Sequence, residues 1–163
     1  MKKVLITGGA TGIGKSTAML FAQKGYDVFV TYNQTKPDFD GVTKIKCNLE
    51  NEEDILNLFK TVGNIDILVN NAGISLIKQI NDTTAEEYDK IMSVNARSYF
   101  LCSREAIKLM RNSQRFINVG ANGCFMRDCI FNEQGGSYRF NTFACRGTCT
   151  KRHNGKLRMS RNN

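Results

Sequence analysis

The sequence has no long hydrophobic run. At its amino end, Val4 to Ile6 are apolar before Thr7 and two glycines, whereas a membrane-spanning helix needs about 20 apolar residues and the apolar part of a signal peptide about 7–15. We therefore expect a cytoplasmic protein with no signal peptide and no membrane partner. Its six cysteines are expected as reduced thiols, because disulfides are rare in that compartment.

Acidic residues are scarce in the last third of the chain. Residues 112–163 hold two acidic residues against nine Lys and Arg, whereas residues 1–111 hold 13 against 14. The later segment is also rich in Arg and contains four of the six cysteines. This change near Arg111 predicts one ordered domain over residues 1–111 and an aberrant basic, Cys/Arg-rich tail over residues 112–163.

Residues 1–111 alternate between strand and helix patterns. Apolar runs predict strands over residues 2–7, 27–32, 42–47 and 65–70. Apolar residues at helical spacing predict helices from Ile13 to Lys24 and from Glu52 to Val62, and a long helical stretch that follows the cap Thr84 and breaks near Asn95. The alternation predicts an α/β fold: a Rossmann-like, doubly wound parallel sheet, truncated after the fourth or fifth strand. The segment RFINV, residues 115–119, can fill the fifth position.

A glycine-rich turn, TGGATGIG over residues 7–14, separates the first strand from its helix. Main-chain amides and the positive end of the helix dipole can receive a pyrophosphate there, and glycines leave room for it. The spacing of Gly8, Gly12 and Gly14 differs from the dinucleotide fingerprint G-x-G-x-x-G. Alone, the turn is equally typical of a tight β–α connection.

Two further motifs accompany this turn: NNAG at Asn70–Gly73, and VNA containing Asn95. In order and spacing the three resemble the short-chain dehydrogenase/reductase family, over about residues 1–111. GISLIK and DTTAEEYDKIMSVN resemble bacterial 3-oxoacyl-acyl-carrier-protein reductases and elongation factor P 5-aminopentanone reductases. The resemblance implies an NAD(P)H-dependent oxidoreductase that reduces a small-molecule or acyl-thioester carbonyl, is a homotetramer when intact, and binds no nucleic acid.

The resemblance also assigns a cofactor site. Its phosphate and ribose contacts fall on Gly8, Thr11, Gly12, Ile13 and Gly14, its adenosine wall on Asn71, Ala72 and Gly73, and its adenine contacts on Asn48 and Leu49, where Asn48 replaces the usual acid. Asn33 ends the second strand without the carboxylate that binds the ribose of NAD and repels the extra phosphate of NADP. With Lys36 nearby, this favours NADP over NAD, although Lys36 is also typical of a solvated loop. No metal site is predicted.

The family's catalytic residues are mostly absent. Asn95 matches the catalytic asparagine, but the expected serine and Tyr-x-x-x-Lys pair are missing, and Tyr138 is followed four residues later by Thr142. A one-base slip shortly after Met110 accounts for the loss. Codons for Asn118–Gly120, read one base away, can encode Met-Trp-Gly, and the same frame can restore Ser-Ser, Tyr-Ser and Ser-Lys-Gly-Gly around it. We therefore predict that residues from about 112 onward are out of frame, through a pseudogene or a sequencing error, and that the chain is catalytically inactive.

Two alternatives keep this chain as a functional protein in its own right. A small zinc or nucleic-acid module could use Cys124, Cys129, Cys145, Cys149 and His153 among arginines, although their spacing is loose. A non-catalytic nucleotide-binding or interaction protein could use the incomplete Rossmann fold. Bound zinc would favour the first, and dinucleotide binding without turnover would favour the second.

Overall fold

One parallel sheet organises the part of the chain that the computed structural model describes, residues 1–110 and 115–119. Its five strands run in the order β3-β2-β1-β4-β5, and every adjacent pair is parallel. The strands are β1 (Lys3–Ile6), β2 (Asp27–Tyr32), β3 (Thr43–Lys46), β4 (Ile67–Asn70) and β5 (Arg115–Asn118). Because β1 lies between β2 and β4, the chain reverses direction across the sheet beside β1, where parallel sheets place their ligands.

Helices connect the strands. They are α1 (Gly12–Gln23), α2 (Glu52–Val62), α3 (Ala85–Met92) and α4 (Ser98–Leu109), with a 3-10 turn at Ile80–Asp82 and a π-helical turn at Ser93–Arg97 joining α3 to α4. The Asn51 side chain caps α2 by accepting from the Glu53 amide, and Gly63, with φ of +67°, follows its last residue. These two signals fix the length of α2 and the loop before it.

The sheet has a hydrophobic core on each face. Alternation along β1 points Val4 and Ile6 toward one face, where they pack with Ala18 of α1. Leu5 points to the other face, where it packs with side chains of α2 and α4 such as Ile55 and Leu101. Helices on both faces make this a doubly wound, Rossmann-type fold, which confirms the predicted fold class.

The predicted elements match the observed ones to within about two residues at their ends. Thr84 does cap α3, and it forms a capping box with Glu87: the Thr84 hydroxyl accepts from the Glu87 amide, and the Glu87 carboxylate accepts from the Thr84 amide. The predicted break near Asn95 is the π-helical turn. Residues 115–118 occupy the fifth position of the sheet, beside β4, as expected.

The rest of the predicted tail lies outside the described residues, including Tyr138 and the candidate zinc ligands Cys124, Cys129, Cys145, Cys149 and His153. Among the helices of residues 1–110, none combines the length and apolar character needed to cross a bilayer.

Candidate functional site

A groove of about 520 Å³ opens at the carboxyl ends of β1 to β4. The turns after the four strands line it, and they carry most of the residues singled out from the sequence: Gly8, Thr11, Ile13, Gly14, Asn33, Asn48, Leu49, Asn71, Ala72 and Gly73. Gly12 and Asn95 are not part of the lining, although Gly12 begins α1 and Val94, beside Asn95, does line the groove. The fold therefore brings together residues that the sequence separates by more than 60 positions.

The turns after β1 and β4 are joined by a hydrogen-bond network. The Thr7 hydroxyl accepts from the main-chain nitrogens of Asn71 and Ala72, at 3.0 and 3.1 Å. In return, the Asn71 side-chain nitrogen donates to the carbonyl oxygens of Thr7 and Gly8, both at 2.9 Å. Because these four hydrogen bonds link the two turns directly, the turns form one rigid floor for the groove.

Two glycines are required by this packing. Gly8 has φ of +65°, a left-handed conformation that glycine adopts without strain. A side-chain carbon on Gly14 would overlap the carbonyl oxygen of Gly8 and lie 2.5 Å from the Asn71 side-chain nitrogen. The sequence interpretation, in which the glycines leave room for a phosphate, is therefore incomplete, because Gly14 allows α1 to pack closely on the β1 turn.

The amino end of α1 fits an anion. Thr11 is its N-cap residue in extended conformation, yet its side chain makes no capping hydrogen bond, and the first turn contains no acidic residue. The first amides of a helix have no intrahelical acceptor, and the helix dipole adds positive potential there. A pyrophosphate would supply the acceptors that this helix end lacks.

The β3–α2 loop forms the opposite end of the groove. The Asn48 side-chain oxygen accepts from the main-chain amide of Glu50 at 3.2 Å, and the main-chain amide of Asn48 donates to the Asp54 carboxylate at 2.9 Å. With its oxygen engaged in this turn, Asn48 retains its side-chain NH₂ group as a donor. Leu49 also lines the groove, although it is only 7% exposed, so the loop offers one small apolar contact and one donor.

Sequence reasoning missed two residues that shape the site. The Thr31 hydroxyl accepts from the Gly8 amide at 3.0 Å and so supports the glycine turn from β2. Cys47 lines the groove and is buried, and burial, with a smaller contribution from the Asp54 charge, raises the pKa of its thiol to about 12. The signal for Thr31 was a polar residue inside an apolar strand, DVFVTY.

Asn95 reaches the site from the π-helical turn. Its side-chain oxygen accepts from the Ile74 amide at 2.8 Å, and its nitrogen donates to the Ile74 carbonyl at 2.7 Å. Both ends of the amide therefore hold the main chain directly after NNAG. The Asn95 side chain thus fixes the wall of the groove that Gly73 begins.

The geometry defines a doubly wound α/β domain with a groove at the carboxyl edge of its sheet, and comparison with known proteins places it further. The sequence profile described as short chain dehydrogenase matches residues 2–131, which extends past the composition change near Arg111. The chain belongs to the short-chain dehydrogenase family.

Individual relatives agree with this assignment. The chain is 35% identical over 126 residues to the Escherichia coli K12 oxidoreductase YgfF, covering 68% of this chain and 51% of that one. It is also 35% identical over 148 residues to an oxidoreductase of Thermotoga maritima, covering 80% and 59%. Among solved structures, a short chain dehydrogenase of Burkholderia cenocepacia in complex with NADP superposes with a TM-score of 0.67 at 27% identity, over 74% of this chain and 56% of that one. The chain thus spans about half to three-fifths of the length of these relatives.

Proposed function

We propose that this chain binds NADP(H) in the groove and is an incomplete, catalytically inactive member of a carbonyl-reducing lineage. The observation that carries the proposal is the uncapped amino end of α1, which meets the rigid β1–β4 floor at the carboxyl edge of the sheet. The NADP complex of the Burkholderia relative supports the choice of ligand class. When bound, the nicotinamide cofactor supplies a hydride.

Different residues of the groove bind different parts of the cofactor. The first-turn amides of α1 and the turn around Gly8 receive the pyrophosphate. Asn71, Ala72 and Gly73 face the adenosine ribose, while Leu49 and the Asn48 side-chain nitrogen take the adenine. Asn95 acts on the ligand through the main chain of Ile74.

The preference for NADP over NAD rests on the end of β2. Asn33, Gln34 and Thr35 line the groove there, and none carries a carboxylate that would repel a 2′-phosphate. Lys36 follows them and is exposed. Among the residues that the structure describes, Lys36 has no carboxylate partner, so its charge is available to a phosphate.

The substrate of the intact lineage is proposed to be a ketone of the 3-oxoacyl-thioester type, and the intact enzyme a homotetramer. Support comes from the sequence resemblance around GISLIK and DTTAEEYDKIMSVN. Reduction requires a general acid that protonates the forming alkoxide. The only Tyr-x-x-x-Lys spacing in the sequence, Tyr32 and Lys36, lies at the end of β2, and no such pair follows β5, which is why we propose that the chain binds the cofactor without turnover.

A charge placed at the helix end tests the binding site. Thr11→Asp keeps a good N-cap residue but sets a carboxylate beside the pyrophosphate, and we expect the Kd for NADPH to rise by about tenfold or more. Gln23→Glu is the matched control, because it adds the same charge near the other end of α1, and it should leave the Kd within about twofold. Titration of NADPH fluorescence with the full chain measures both values. Equal affinities for the two variants would refute the assignment of the groove.

A further inference from the structure

The loop that follows β2 is fixed by a lysine of α1. The Lys15 ammonium donates to the Asp38 carboxylate at 2.7 Å and lies 5.2 Å from the centroid of the Phe39 ring. Phe39 in turn packs against the hydrophobic core that contains Ala18 of α1. Lys15 therefore ties the loop of residues 33–42, which we call the β2 loop, to the first turn of the helix that begins at the glycine turn.

The Lys15–Asp38 ion pair also sets the net charge of the β2 loop. Asp38 is five residues beyond Asn33, in the segment that carries the groove-lining residues Asn33 to Thr35. The hydrogen bond from Lys15 lowers the pKa of Asp38 from its ordinary value of 3.8, and the carboxylate is ionised at neutral pH with or without that bond. Without Lys15 this exposed negative charge would act on an incoming phosphate. With Lys15 it is neutralised, and Lys36 remains the cation of the loop without a carboxylate partner among the described residues.

We propose that Lys15 is a specificity-determining residue for the phosphorylated cofactor: it selects for the adenosine 2′-phosphate by neutralising Asp38 and by holding the β2 loop against Phe39. This rests on the proposed function. Lys15 does not line the groove, so it is a positioning residue, and its effect is confined to the ligand group that the β2 loop meets.

Lys44 is a matched comparison within the same cluster. Its ammonium lies on Phe39 as well, 5.9 Å from the ring centroid, and pairs with Asp40 at 3.6 Å. Lys44 belongs to β3 rather than to the helix that starts at the glycine turn. Removing its charge changes the net charge by the same amount as removing that of Lys15 but leaves the Lys15–Asp38 contact in place. It frees only Asp40, which is fully exposed, and Lys44 makes the smallest of the contributions that lower the pKa of Asp38.

Two ligands that differ by one phosphate test the inference on the full chain. The ligands are 2′,5′-ADP and 5′-AMP, and their Kd values are measured by isothermal titration for wild type, Lys15→Met, Lys44→Met, Asp38→Asn and the double variant Lys15→Met/Asp38→Asn. Methionine keeps an apolar stem over Phe39 and removes the ammonium group, with its charge and its hydrogen bond to Asp38. The basic segment 112–163 is common to all variants and cancels in the comparison.

We expect Lys15→Met to weaken 2′,5′-ADP by about fivefold and 5′-AMP by less than about twofold. Asp38→Asn should tighten 2′,5′-ADP, and the double variant should return to within about twofold of wild type. Lys44→Met should change the ratio of the two Kd values by less than about twofold.

Three results would overturn the inference while leaving the proposed function intact: equal weakening of both ligands by Lys15→Met, no weakening of either, or an equal change of the ratio in Lys44→Met. Failure of wild type to bind either ligand would overturn the proposed function, and the inference with it.

Discussion

At the residue scale, the site depends on close packing that leaves no room for a side chain at Gly14. Gly14 faces the Gly8 carbonyl and the Asn71 side chain, whereas a side-chain carbon on Gly12 would meet nothing within 4 Å. Gly12 has φ of +54°, so its requirement is conformational and that of Gly14 is steric. The two glycines of one motif are therefore needed for different physical reasons.

This difference predicts different costs. Gly14→Ala should lower the free energy of unfolding by about 1–3 kcal/mol, because α1 must move away from the β1 turn. Gly12→Ala should cost about 1 kcal/mol, from the left-handed conformation alone. Urea denaturation followed by far-UV circular dichroism measures both. A larger loss for Gly12→Ala would contradict the packing described for Gly14.

The buried thiol of Cys47 predicts a pH dependence. Its pKa is about 12 in the folded chain, raised mainly by burial, against an ordinary value of 9.0. Between these values the unfolded chain loses the proton and the folded chain keeps it, so the stability contributed by this group is complete below about pH 9 and falls as the pH rises toward 12. The free energy of unfolding from urea titrations should therefore decrease over that interval.

A variant isolates this contribution. Cys47→Ala should show a smaller decrease between pH 9 and 10.5 than wild type, although some slope remains because burial also raises the pKa of Cys102. The comparison of slopes removes the constant cost of the smaller side chain. Identical slopes in the two proteins would show that Cys47 does not titrate as described.

At the element scale, the π-helical turn is the least ordinary feature of the fold. It interrupts one long helical stretch at Ser93–Arg97 and so turns Asn95 toward Ile74. Such turns widen a helix by one residue and are frequent at functional sites. Here the turn lets a helix residue hold the main chain of a loop that begins one wall of the groove.

Hydrogen exchange should reveal this contact. Asn95→Ala removes the acceptor of the Ile74 amide and the donor to its carbonyl, and should expose that amide to exchange while lowering the free energy of unfolding by about 1–2 kcal/mol. Asn95→Asp keeps an acceptor for the Ile74 amide and loses only the donor, so protection at Ile74 should persist. If Ile74 stays protected in Asn95→Ala, the side chain does not hold this segment.

Local signals explain which elements sequence reasoning found. Thr84 and Glu87 form a complete capping box, and the apolar runs of the strands have no competing helical period, so both were predicted within about two residues. The π-helical form of the break was not predicted, because it depends on a contact with Ile74, 21 residues away. The roles of Thr31 and Cys47 were missed for the same reason: each arises only where separate strands end side by side.

The Lys15–Asp38 contact was also invisible in the sequence. Each residue lies in a polar segment, and nothing in their spacing indicates that they meet. The motif residues of the groove were predictable because the family pattern records them, whereas a pair outside the motif requires the path of the β2 loop. The sequence therefore predicted the residues that line the groove, but not the contacts that hold those residues in position.

At the scale of the whole molecule, the described residues contain the half of the fold that we propose binds the cofactor, and we predict that the half that would carry the reaction is lost. Five strands and four α-helices enclose two cores and the groove within residues 1–110 and 115–119, and the chain covers 51% of the Escherichia coli relative and 59% of the Thermotoga one. The predicted change of reading frame would separate these two functions at one point in the gene. Sequencing that gene across the codons for Met110 to Gln114 tests this directly.

The proposed loss of catalysis is tested by comparing the present chain with one whose reading frame is restored after Met110. Hydride transfer to a ketone leaves an alkoxide, and a general acid that protonates it typically contributes about 10²- to 10⁴-fold in rate. We expect no oxidation of NADPH above background by the present chain with an acetoacetyl thioester, and measurable oxidation by a chain whose frame is restored after Met110, because the restored frame supplies the tyrosine and the lysine together. The restored chain with its new tyrosine changed to phenylalanine is the matched control and should lose most of the gained rate.

Turnover by the present chain would refute the proposed inactivity. An inactive restored chain that still binds NADPH would instead argue against this ketone class, since the binding half would then be sound and the substrate wrong.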